Sequence, residues 1–114
     1  MDLHRARRAK RLDLYRSRQA ERVRAVRSTL ETLTQSGTLF TQDGTRRGLS
    51  LLKALQLLQR AGARLEEASG DGVLPAPRRP ERVDALYVEV DGLFERADTL
   101  AGRDEASIAR LPGR

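Results

Sequence analysis

The sequence predicts an all-α protein, an antiparallel three-helix bundle with long amphipathic helices and a protruding basic N-terminal arm. Apolar residues recur at steps of three and four along three separate stretches. Segments rich in Gly and Pro divide those stretches, which are of similar length. Roughly 22 to 25 residues per helix, each near 35 Å long and joined by loops of about ten, fold most economically as such a bundle.

The first helix is expected over residues 12–36. Leu12, Tyr15, Gln19, Val23, Val26, Leu30 and Leu33 form one stripe less than a quadrant wide at about 100° per residue. Ser36 and Gly37 make a C-terminal stop. The second helix, over 46–69, carries Leu51, Leu55, Leu58, Gly62 and Leu65 on its core line. Leu49, Leu52 and Leu57 broaden that face, as suits a central helix. The third, over 80–102, opens on Pro80, a favourable first-turn residue, and continues through Val83, Leu86, Val90, Leu93, Ala97 and Leu100. Tyr87, Phe94 and Ala101 flank its seam. The segments around 34–48 and 69–80 read as linkers. Asp43-Gly44 also fits a small β-hairpin, although its flanks are too short to favour one over a loop. Residues 104–114 are expected as a tail or a short helix that folds Ile108 and Leu111 back onto the bundle.

A chain of 114 residues, 39% apolar and 33% charged, supports one domain with a modest core. With no Cys, a disulfide framework, a thiolate zinc site and a cysteine nucleophile are all excluded. No apolar run approaches the roughly 18 residues of a membrane span, and no apolar core of a secretory signal is present. A soluble, cytoplasmic protein is expected. The first 28 residues are Arg-rich and poor in acids, as in an organelle-targeting segment, but the Leu12–Leu33 stripe runs through them into the bundle. Twenty of the 22 basic residues are Arg, which a GC-rich genome explains as readily as selection for phosphate-binding forks.

Charge is distributed unevenly. Residues 1–27 hold ten Arg or Lys against three acids, a net of +7, which exceeds the +6 of the whole chain. Residues 81–105 hold eight acids against three Arg, a net of −5. Extending the first stripe backwards from Leu12 lands on Arg8 and Arg5, and unpaired guanidinium groups are not buried cheaply. Residues 1–11 are therefore expected outside the folded body, as a continued helix or a loose arm. Arg5, Arg7, Arg8, Lys10 and Arg11 surround it, with Arg18 and Arg22 further along the same helix, as candidate partner- or phosphate-binding residues.

Asp84, Asp91, Asp98 and Glu105 recur every seven residues. Carboxylates so spaced lie about 10 Å apart along a helix, too far to share one ion. They are expected to pair with Arg16, Arg24 and Arg27, within the bundle or across a dimer. Catalysis has little to stand on: the one His is His4, and no Ser/His/Asp set or phosphate-binding glycine loop is present. No enzyme activity, metal or cofactor is expected. Gly62 occupies a core position where Leu would be usual, at a level that predicts packing against Tyr87; a groove for a partner helix is the alternative.

The function expected is thus a helical protein-interaction module, an adaptor or assembly subunit whose basic arm contacts an acidic partner. A nucleic-acid-associated protein is the second reading. Its binding would be electrostatic, because the four aromatic residues are not interleaved with the basic arm. An anionic membrane surface ranks third as a partner. The apolar excess of Leu49, Leu52 and Leu57 suggests a homodimer in preference to a monomer.

Overall fold

A computed structural model describes residues 3–70 and 80–102, with side chains from residue 6 onward. It contains three helices, α1 (Leu3–Gln35), α2 (Gln42–Ser69) and α3 (Pro80–Leu100), and a 3-10 turn at Thr38–Phe40. No strand occurs among the described residues. The 71–79 linker and the 104–114 tail, with Glu105, Ile108 and Leu111, lie outside them.

Helix α1 runs unbroken through the basic segment because no Gly or Pro interrupts the chain from Leu3 to Gln35, and Arg, Ala, Leu, Gln and Glu are good helix formers. It stops at Gly37, whose φ of 73° is the left-handed conformation that glycine adopts without a Cβ penalty. Helix α2 begins at Gln42, earlier than the expected residue 46, so Asp43-Gly44 belongs to its first turn and the hairpin alternative is not realised. Local chemistry explains the shift. The Thr41 hydroxyl accepts a hydrogen bond from the Gly44 N–H at 3.0 Å, capping the helix, and Asp43 sits where the helix dipole favours a negative charge. Pro80 and Glu81 open α3. At its far end Arg47 of α2 donates to the Ala101 carbonyl, placing a cation where the dipole is negative.

Residue pairs give the helix directions. Arg64 meets Glu89 and Arg47 meets Ala101, so α2 and α3 run oppositely. Gln19 reaches Leu58, while Thr29 shares a cavity with Leu51, so α1 and α2 also run oppositely. Arg11–Asp84, Tyr15–Asp91 and Arg22–Asp98 ascend together, so α1 and α3 run parallel.

Helix α2 is central and supplies most of the interior: Leu51, Ala54, Leu57, Leu58, Ala61 and Leu65 are buried. Leu57, expected among the surplus apolar residues, is in this core, whereas Leu49 and Leu52 are exposed. Val90, Leu93, Phe94 and Ala97 come from α3. Among its described side chains helix α1 adds only Tyr15 and Val26 as buried ones, with Leu12, Val23, Leu30 and Leu33 half-buried against the core. It is the most lightly anchored helix.

Candidate interaction surfaces

The seam between α1 and α3 is built from aromatic rings and ion pairs. The Tyr15 ring lies 4.7 Å from that of Tyr87 and 6.2 Å from that of Phe94, centroid to centroid. The Tyr15 hydroxyl donates to Asp91 Oδ2 at 2.9 Å. Guanidinium groups cover all three rings: Arg11 at 4.1 Å over Tyr87, Arg18 at 5.5 Å over Tyr15, and Arg22 at 4.5 Å over Phe94. Arg11 Nη1 bonds Asp84 Oδ1 at 2.8 Å, and Arg22 grips Asp98 with two bonds, Nε to Oδ1 at 3.0 Å and Nη2 to Oδ2 at 3.1 Å. This closes the seam because a planar guanidinium can stack on a ring and fork onto a carboxylate together.

The acidic strip of α3 thus meets Arg11, Tyr15 and Arg22. Arg24 and Arg27, nominated by spacing alone, are exposed and have no acidic partner among the described residues. They lie on the flank of the α1 stripe that faces away from α3. The hydrogen bond from Arg11 to Asp84 raises the Arg11 pKa further above its ordinary value. Burial, then the bond to Asp91, raises that of Tyr15, and burial raises that of Tyr87.

The nominated binding residues therefore separate into two groups. Arg11, Arg18 and Arg22 are engaged on the seam. Arg7, Arg8 and Lys10 are exposed near the start of α1, as is every described side chain from Ala6 to Arg11; Leu12 is the first of the described side chains to pack against the core cluster. Arg5 lies within helix α1, and its side chain is outside the described residues.

The expected contact between Gly62 and Tyr87 is not formed. A Cβ at Gly62 would lie 3.2 Å from Gln19 Nε2, and nothing but the Gln19 amide comes within 4 Å of it. Gly62 and Tyr87 both face α1, from different sides, so they cannot meet. Gln19 Nε2 instead donates to the Leu58 carbonyl at 3.2 Å, and an open groove of about 600 Å³ lies over this point, lined by Arg16, Gln59, Ala63 and Glu66.

Among the described residues five large apolar side chains are exposed: Phe40 at 87%, Val88 at 69%, Leu49 at 56%, and Leu14 and Leu52 at 49%. Three of these, Phe40, Leu49 and Leu52, lie in the 3-10 turn or the first three turns of α2. Leu39 crosses Gly48 so closely that a Cβ there would lie 2.6 Å from Leu39 Cδ1, and the Thr45 hydroxyl bonds the Leu39 carbonyl at 2.8 Å. This ties the turn that carries Phe40 to Thr45 and Gly48, on the side of α2 that also carries Leu49 and Leu52. Exposed Arg46 and Lys53 border that side and have no acidic partner among the described residues. Sequence reasoning found Leu49 and Leu52 and missed the others. The available signal for Phe40 was that it alone among the aromatics lies off a helical stripe. Leu14 and Val88 were apolar residues outside any stripe.

Between the helices, a cavity of about 50 Å³ is lined by Val26, Leu51, Leu58 and Ala97, far below the several hundred Å³ of a cofactor site. Among the described residues no three His, Cys, Asp or Glu side chains are grouped to hold a metal ion, and no helix is long and apolar enough to cross a membrane. Comparison with known family models, characterised proteins and solved structures finds no match to this chain.

Proposed function

We propose that this chain is a non-enzymatic helical interaction module of the cytoplasm, an adaptor or assembly subunit that takes a protein partner on the Phe40–Leu49–Leu52 face. The exposure of Phe40 carries this reading. An aromatic ring left 87% in water, beside two half-exposed leucines, forfeits burial worth about 2 kcal/mol unless something covers it. Arg46 and Lys53 on its border call for an acidic-flanked apolar segment, and the exposed Arg7, Arg8 and Lys10 supply a second contact for an acidic surface. A photo-crosslinking phenylalanine analogue at position 40 tests the proposal in cells. The expected result is one dominant adduct, lost in Leu49→Asp/Leu52→Asp chains of unchanged helicity and weakened when Arg46 and Lys53 are neutralised. An adduct pattern indifferent to both changes overturns it.

The cationic start of α1 supports nucleic acid as the second reading. Arg7 and Lys10 near the start of α1, with Arg24 and Arg27 further along, are exposed and offer phosphate contacts for salt-sensitive binding. Titration of the intact chain and an Arg7→Ala/Arg8→Ala/Lys10→Ala chain with duplex DNA, RNA and anionic vesicles separates the readings. Binding that depends on these residues and survives physiological salt reverses their order.

A further inference from the structure

Leu14 and Val88 are exposed on the outer side of the α1/α3 seam, away from the Phe40 face. Each is the apolar centre of a charged ridge. On α1 the ridge is Arg7, Arg11, Leu14 and Arg18, at helical steps of four, three and four. On α3 it is Glu81, Asp84, Val88, Asp91 and Glu95, at steps of three, four, three and four. The two ridges run parallel and in register. Contacts across the seam join residues separated by 73 and 76 positions, and Leu14 and Val88 differ by 74, so they stand at one level.

We propose that a second copy of this chain docks on this face, related by a two-fold axis parallel to the helices. Such an axis places α1 of each copy over α3 of the other and leaves every level unchanged. Leu14 then covers Val88 of the second copy, and the reverse. Arg7 and Lys10 come level with Glu81 and Asp84, and Arg18 comes between Asp91 and Glu95. The opposite-sign ridges make the face self-complementary, as a two-fold interface requires. An axis across the helices would set α1 against α1, basic on basic, and so is disfavoured. The pairing uses a different surface from the proposed partner site and does not depend on that reading.

Sedimentation equilibrium of the intact chain tests this. A dimer is expected in about 50 mM salt that weakens on the order of tenfold or more when the Debye length shrinks in about 500 mM salt. Leu14→Glu places an acid against the acidic ridge, Val88→Arg a base against the basic one, and each weakens association about tenfold or more. The Leu14→Glu/Val88→Arg double chain regains it, because the new charges face each other only when α1 lies over the other copy's α3. Leu52→Glu leaves the dimer intact. Circular dichroism checks that each variant folds. A monomer in low salt, a double variant no better than the singles, or a dimer abolished by Leu52→Glu overturns the proposal.

Discussion

Replacing glycine by alanine at two helical positions should shift stability in opposite directions. At Gly92, inside α3, an added Cβ meets nothing within 4 Å, so Gly92→Ala brings only the helix-propensity gain of about 0.8–1 kcal/mol. At Gly44 the added Cβ would lie 1.7 Å from the Thr38 carbonyl oxygen, 2.5 Å from its carbon and 2.8 Å from the Thr41 hydroxyl oxygen. The obstacle is backbone, so the 3-10 turn must move by more than 1 Å or the cap must open. Thr38 O also accepts from the Thr41 amide at 3.0 Å and its hydroxyl at 2.7 Å, so the methyl enters the centre of the capping network. Overpacking of about 1–3 kcal/mol, together with a lost cap of about 1 kcal/mol, outweighs the same propensity gain. Gly44→Ala is therefore expected to destabilise by about 1–3 kcal/mol. Urea unfolding followed by circular dichroism at the helix band measures both changes. The midpoint should rise for Gly92→Ala and fall for Gly44→Ala, at similar slope, and melting temperatures should separate by roughly 10 °C. Equal stabilisation by the two substitutions would refute the capping geometry and return the start of α2 to residue 46.

The packing of α1 against its two neighbours makes three further predictions. In double-mutant cycles, the Arg22–Asp98 pair, with side chains 20% and 22% exposed, should couple by about 1–2 kcal/mol. Arg11–Asp84, 41% and 63% exposed, should give at most about 1 kcal/mol; the reverse order would refute the role given to burial. Burial and the bond to Asp91 favour the neutral form of Tyr15, so its native pKa lies above the ordinary 10.0. The stability linked to that shift is complete below about pH 10 and is lost as pH rises through the native value; urea titrations should show a smaller alkaline decline in Tyr15→Phe, with Tyr87 keeping part of it. For Gly62→Ala, the propensity gain and the displaced Gln19–Leu58 bond are each worth about 1 kcal/mol, so the urea midpoint should barely move. A loss above about 2 kcal/mol would mean that something less yielding than the Gln19 amide fills the site.

The seam also accounts for how a helix as basic as α1 joins the bundle at all. Its charges surround an apolar stripe that buries only Tyr15 and Val26 completely, too little to order a 33-residue helix against its conformational entropy. Arg11 and Arg22 offset part of that deficit by laying their stems and guanidinium planes over Tyr87 and Phe94 of α3, and Arg18 covers Tyr15 of its own helix. The excess positive charge of the N-terminal quarter is therefore partly structural. Exposed cations also stand before Leu12, at Arg7, Arg8 and Lys10, and on the flank that carries Arg24 and Arg27.

The three apolar stripes, the all-helical class and the stop at Gly37 could be read from the chain because each rests on residues within a few positions of one another, where helix geometry alone sets the faces. The start of α2 was not legible, since Thr41 becomes a cap only when Leu39 is folded across Gly48. Neither was the pairing of charges. Helix α1 carries arginines on both flanks of its stripe, Arg11, Arg18 and Arg22 on one and Arg16, Arg24 and Arg27 on the other. Three helices can be arranged around the same stripes in either hand, and both hands bury the same leucines. Only the tertiary structure selects the flank that faces α3. That choice engages Arg11 and Arg22 in the seam, draws Tyr87 to Tyr15 instead of Gly62, and leaves Leu14 and Val88 exposed.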